Sequence, residues 1–191
     1  LLFLMFGAIW GALFGDKFEQ FLTPGRSLEL LNQNGESELK ITLQRFQIQR
    51  DPSGRPEQYK SKLEIFEPKV SPKKITEISV NHPLRLKGLT IYQADWSLST
   101  INLRLGENPP LEIPLKRFPE LGEEIWGVVL PTQSDGSEPV LLSISNEEGP
   151  VKIFNEAGKL LASLRPGGSS VNVIGIPLQV INVVASSGLL L

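Results

Sequence analysis

Beyond residue 38 the apolar and polar positions of this chain alternate with a period of two, the pattern of half-buried strands. Ile41 and Leu43 share one face, then Phe46 and Ile48 share another. The phase slips at Gln44-Arg45, which predicts a bulge or bend. Asp51-Pro52-Ser53-Gly54 reads as a tight turn, because Pro presets φ and Gly accepts φ > 0. Tyr59, Ser61, Leu63 and Ile65 alternate again, so residues 40–66 are expected to form a long hairpin. Strand patterns recur at 78–80, 89–96, 101–105, 111–115, 125–130 and 140–144. A second hairpin is expected over 151–164 around Asn155-Glu156-Ala157-Gly158, and two more strands over 171–176 and 178–184. Along 89–96, Leu89, Ile91 and Gln93 fall on one face and Thr90, Tyr92, Ala94 and Trp96 on the other. No amphipathic helix longer than about 10 residues is visible after residue 32. The pattern predicts an all-β fold, a β-sandwich or barrel-like domain of roughly eleven short strands.

The ends follow a different rule. Residues 1–15, LLFLMFGAIWGALFG, carry no charge. A membrane-spanning helix needs about 20 apolar residues, more than this run holds. Residues 1–15 are therefore expected to be the end of a transmembrane helix, with Gly7, Ala8, Gly11 and Ala12 one turn apart for close packing. Trp10 and Phe14 are expected toward one interface. Residues 16–24 are expected to be a juxtamembrane segment, a short helical exit that Pro24-Gly25 ends. Residues 25–185 are expected to form one β domain outside the membrane, and residues 186–191 to begin a possible next span.

Composition narrows the chemistry. The 191 residues hold 19 Lys and Arg against 21 Asp and Glu, a net charge of −2, and 40% are hydrophobic. That is enough apolar material for a core and too little positive charge for a general nucleic-acid binder. With no Cys, disulfides, thiol catalysis and iron–sulfur clusters are excluded within the chain. A single His, His82, excludes multi-histidine metal sites and leaves one imidazole base. His82 precedes Pro83 in an expected turn, a poor place for the base of a hydrolytic triad. Glu120, Glu123 and Glu124 lie beside Pro119 and Gly122, and read as a solvated loop rather than catalytic carboxylates. Trp96 and Trp126 read as core or rim aromatics rather than a porphyrin platform. Residues 45–87 hold ten Lys and Arg against five Asp and Glu, whereas residues 106–148 hold two against nine. This asymmetry reads as two solvated faces, with a basic side for anionic lipid or a partner as the alternative.

One segment is unusual: Ile78-Ser79-Val80-Asn81-His82-Pro83-Leu84-Arg85-Leu86-Lys87-Gly88-Leu89-Thr90-Ile91-Tyr92-Gln93. It resembles the hallmark of the ResB family (also called CcsB), the cytochrome c biogenesis proteins of system II, whose pattern is V-N-x-P-L, then x-G, then I-Y-Q. Leu86 stands where many members have an aromatic residue. Arg50-Asp51-Pro52-Ser53-Gly54 with Tyr59 and Ser61, Leu22-Thr23-Pro24-Gly25, and Ser186-Ser187-Gly188-Leu189 are also similar to the family, although Arg26 replaces a frequent Glu. The resemblance covers essentially the whole chain.

The resemblance implies a protein integral to the membrane, with this domain on the lumenal or periplasmic side of a cyanobacterium-like thylakoid or plasma membrane, or of a plastid thylakoid. It implies a CcsA/ResC-type membrane partner, apocytochrome c as the protein served, contact with the lipid bilayer, and no nucleic acid. Haem belongs to the full-length complex and none is expected on this segment, because the family's haem-linked His lies in the membrane, outside this stretch. No catalytic, cofactor or metal residue is carried over, and the parent complex would be a haem-attaching synthase. The motif residues Asn81, Pro83, Leu84, Gly88, Tyr92 and Gln93 are expected to be structural. Asn81 is expected to cap the turn, the Tyr92 ring to lie inside, and Gln93 to meet the turn at 81–83. On that placement Tyr92→Ala costs the 3–5 kcal/mol, roughly, of a buried aromatic truncation. His82, at the variable position of the motif, is expected to point to solvent and not to ligate haem. The alternative function is a membrane-tethered β-sandwich binding or scaffold module of another envelope assembly.

Overall fold

The computed structural model describes residues 18–86, 88–132 and 138–191. The expected helix over 1–15 lies outside the described residues. Among those described, the fold is all-β. In chain order the strands are β1 (Glu19–Leu22), β2 (Ser27–Leu31), β3 (Ser37–Arg50), β4 (Pro56–Glu67), β5 (Val70–Ser79), β6 (Leu84–Leu86), β7 (Leu89–Leu105) and β8 (Leu111–Pro114). There follow β9 (Lys116–Arg117), β10 (Trp126–Leu130), β11 (Val140–Ile144), β12 (Val151–Asn155), β13 (Leu160–Leu164), β14 (Val171–Val173) and β15 (Ile176–Leu190).

The described residues cluster into two compact units. One holds the described residues up to Asp95 with Ser187–Leu191, and the other holds Trp96–Ser186. The long strands β7 and β15 each contribute residues to both.

In the first unit, β2-β3-β4-β5 form an antiparallel sheet. The hairpin expected over 40–66 is β3 and β4, and the pairing shifts between Leu43 and Arg45, where the phase slip placed a bulge. Above it Leu39, Ile41 and Leu43 point inward and are buried. The second sheet of this unit places the end of β15 and the start of β7 between β1 and β6. Leu22, Ile91 and Leu189 from this sheet pack into one core with Ile41, Leu43, Leu63, Ile65 and Ile78 from the other. Two sheets with interdigitating inner faces make this unit a sandwich.

The tip of the β3–β4 hairpin is built by one carboxylate. Asp51 Oδ1 accepts hydrogen bonds from the Ser53 amide at 2.8 Å, the Ser53 hydroxyl at 2.6 Å and the Arg55 amide at 2.9 Å. These donors, the Ser53 hydroxyl first, hold the Asp51 pKa below its ordinary value. A carboxylate depressed in this way stabilises the turn above its unfolded pKa and stops doing so as pH falls through its lowered folded value. Amide exchange at Ser53 and Arg55, corrected for its intrinsic pH dependence, is expected to quicken on acidification through that range. Asp51→Asn keeps an acceptor oxygen and should abolish this pH dependence.

Residues 16–22 were expected to leave the membrane as a short helix. Glu19–Leu22 are instead a strand, paired with Leu190–Ser187 of β15. So short a helix would leave most of its backbone groups without partners, whereas β15 supplies them. Phe18 and Leu191 extend the ladder, with N–H to carbonyl distances of 3.1 and 2.9 Å. Residues 186–191, expected to begin a span, are strand as far as Leu190. No helix among the described residues is long and apolar enough to cross a membrane.

In the second unit β13-β12-β11-β10-β9 form one antiparallel sheet, and the start of β15 and end of β7 lie between β14 and β8 in another. The second expected hairpin is β12 and β13, closed by Gly158 at φ 75°. Val140, Leu142, Ile144, Val151 and Ile153 on one sheet, and Leu98, Ile101, Leu103, Leu178 and Val180 on the other, are buried. Gly127 in β10 allows an unusually close approach: a Cβ there would sit 2.4 Å from the Leu142 carbonyl oxygen. The obstacle is backbone and cannot rotate away. Gly127→Ala is therefore expected to destabilise the chain by about 1–3 kcal/mol, read as a lower urea midpoint at constant m value.

Candidate functional site

The motif segment turns where its residues predict. Val80-Asn81 reverse the chain between Ser79 and His82, which exchange backbone hydrogen bonds at 2.9 and 3.3 Å. Asn81 takes φ 69°, a left-handed conformation that Asn tolerates better than most side chains. Its part in the turn is this backbone conformation, where a side-chain cap had been expected. Pro83 follows, and Leu84 enters β6, where it packs against the core of the first unit. Gly88, at φ 85°, stands in the turn between β6 and β7. His82 is exposed, and its Nδ1 lies 3.4 Å from the Ser79 hydroxyl.

The orientation expected for Tyr92 and Gln93 is reversed. Tyr92 is 43% exposed and Gln93 only 6%. Ile91 and Leu89 place that face of β7 on the core, so the residue two positions on must also point inward. The alternation then breaks: Ala94 and Asp95 are both exposed and Trp96 is buried. An exposed Tyr carries little folding energy, so Tyr92→Ala is expected to change stability by no more than about 0.5 kcal/mol in thermal unfolding.

Gln93 is buried because two serines meet it. Its Oε1 lies 2.5 Å from the Ser61 hydroxyl and 2.8 Å from the Ser187 hydroxyl, and the two hydroxyls are 2.8 Å apart. Its Nε2 donates to the Asp95 carbonyl at 2.7 Å. Two hydroxyl protons serve three oxygen–oxygen contacts. Ser187 donates to Gln93, and Ser61 donates either to Gln93 or to Ser187. β4, β7 and β15 thus converge on one buried polar node inside an apolar core. Such a node penalises any register that separates its members, since each would then lose its partner. Gly188, next to Ser187, passes so near Asp95 that a Cβ would lie 3.0 Å from its backbone. Ser61, Gln93 and Ser187-Gly188 come from three separate segments that resembled the family. Their convergence was not visible in the sequence, because the two serines lie 126 residues apart on strands whose pairing residue type does not record.

The node is buried, and its hydrogen bonds tie β4, β7 and β15 together. Trp96 and Trp126 are likewise core residues of the second unit, buried with ring centroids 5.0 Å apart. Arg117 lies over Trp126 at 5.4 Å, and Trp126 Nε1 donates to the Ser97 hydroxyl at 3.1 Å. Glu120, Glu123 and Glu124 are exposed, the solvated loop expected of them. Among the described residues no three His, Asp or Glu side chains gather as a metal site.

Comparison with known proteins matches residues 1–159 to the ResB-like family model. Over all 191 residues the chain is 59% identical to a protein named cytochrome c biogenesis protein CcsB from Prochlorococcus marinus, and 55% identical to one of the same name from a Synechococcus strain. It covers 44% of each. A third of that name, from Paulinella chromatophora, is 50% identical over 200 aligned residues, with the whole chain covering 46% of it. No solved structure matches.

Proposed function

The chain belongs to the ResB-like family, and from this premise we propose that it is the extracytoplasmic domain of a membrane subunit of the system II cytochrome c synthase. In this reading it assists delivery of haem to apocytochrome c and its attachment there, beside a CcsA-type membrane partner. The haem sits elsewhere in the full-length complex, and this domain acts as scaffold and docking surface. The observation that carries the reading is similarity along the entire chain to relatives that bear the cytochrome c biogenesis name. The uncharged run over 1–15 supports a membrane anchor, and the cyanobacterial relatives favour a thylakoid or plasma membrane, with the domain on the lumenal or periplasmic side.

Deleting the full-length gene is expected to abolish covalent haem on c-type cytochromes, seen by haem staining after denaturing electrophoresis, while the apocytochromes are still made. The full-length protein is expected to co-purify with a CcsA-type partner and a haem absorption band. Normal haem attachment in the deletion strain would overturn the reading. Sidedness is tested by protease added to right-side-out and inverted vesicles, which should reach this domain from the lumenal or periplasmic side alone.

A further inference from the structure

One sheet of the first unit turns an apolar face outward. Its order is β1, β15, β7, β6, and the buried residues Leu22, Leu189, Ile91 and Gln93 define the inward parity. Their neighbours Phe21, Leu190, Tyr92 and Ala94 therefore point the other way. Phe21 is 40% and Tyr92 43% exposed. Gly188, opposite Phe21, adds no side chain, and Asp95 of β7 packs against it. Glu19, Arg85 and the exposed Asp95 are the charged residues on this face. The other sheet of the unit is the reverse: Arg45, Lys62 and Glu77 form one cross-strand row on its outward face.

The chain's course says what lies beside the apolar face. Phe18 and Leu191 are hydrogen-bonded to each other at the end of the β1–β15 pair. The uncharged run ends at Gly15, three residues before Phe18. Three residues reach about 10 Å even when fully extended. A bilayer that takes up residues 1–15 must therefore lie within that distance of Phe18.

We propose that the outward face of β1, β15 and β7, carrying Phe21, Leu190 and Tyr92, rests on the bilayer surface. The proposal depends on the membrane reading given above. Phe21 and Leu190 enter the boundary between headgroups and acyl chains. Tyr92 sits at the same level with its hydroxyl among the headgroups, the depth that amphipathic aromatic rings favour. Arg85 at the margin meets anionic headgroups. This gives Tyr92 a task that the buried node leaves to Gln93, and it turns the charged face with Lys62 toward water.

The absence of cysteine makes the test direct. The full-length protein, with any cysteine outside this chain replaced, is placed in vesicles of equal parts phosphatidylcholine and phosphatidylglycerol. Nitroxide labels are attached singly at Phe21→Cys, Tyr92→Cys, Lys62→Cys and Ala8→Cys, and their collisions with oxygen and with a water-soluble nickel chelate are compared. At positions 21 and 92 oxygen access is expected to exceed nickel access, as at position 8, with the order reversed at 62. A label at 8 in hydrocarbon with 21 and 92 open to nickel would overturn the proposal and leave the membrane reading intact. Labels at 21 and 92 shielded from both reagents would mean that protein covers the face, which also overturns it. Nickel access at position 8 as well would sink both.

Discussion

Trp126→Ala is expected to cost the chain about 3–5 kcal/mol, the range for emptying a buried aromatic site. Trp126 is 2% exposed and fills the inner face of β10. Its ring lies against Trp96, beneath Arg117, and its indole N–H is bonded to Ser97. Truncation removes all three and leaves a cavity that two β-sheets cannot close without bending. Trp126→Phe keeps most of the ring contact and loses the donor, so a smaller loss of about 1–2 kcal/mol is expected. The check is urea unfolding followed by circular dichroism, with the midpoint falling in the order wild type, Phe, Ala. An unchanged midpoint for Trp126→Ala, with loss of haem from the full-length complex, would instead make the Trp pair a porphyrin platform.

Gln93→Leu is expected to cost about 2–4 kcal/mol, although it exchanges a polar side chain for an apolar one of similar size inside a core. Each buried polar group that loses its partner costs about 1–3 kcal/mol. Ser61 and Ser187 can still pair with each other across 2.8 Å, but the Ser187 proton loses its acceptor and the Asp95 carbonyl loses the amide. The diagnostic variant is the triple replacement Ser61→Ala, Ser187→Ala and Gln93→Leu. Removing every partner at once leaves few orphans, so the triple mutant is expected to be more stable than Gln93→Leu alone. Thermal unfolding of the three single mutants and the triple decides this. Additive losses would mean that the node contributes nothing as a unit.

The contrast between Tyr92 and Gln93 marks the limit of reading this chain from its residues. A period of two requires adjacent residues to face opposite ways, and they do. Which of the two faces inward is not a local property. A Gln beside a Tyr reads as the outward one until Ser61 on β4 and Ser187 on β15, 126 residues apart in sequence, are brought against it. Partners make the buried amide tolerable. The same reason explains β1: four residues carry too little pattern to choose between helix and strand, and only the free edge of β15 chooses.

What the amino-acid sequence determined by itself was local. The alternation of apolar side chains, the bulge at 44–45, the Asp51 turn, the β12–β13 hairpin and the uncharged run over 1–15 all follow from residues within a few positions of one another. The motif also indicated the family before any coordinates did. The tertiary structure alone decided the division into two units, the inward turn of Gln93 and the outward turn of Tyr92. The same holds for the meeting of Phe18 with Leu191. Each of these depends on pairing between strands far apart in the chain, and residue type and spacing carry no record of which strand will lie alongside.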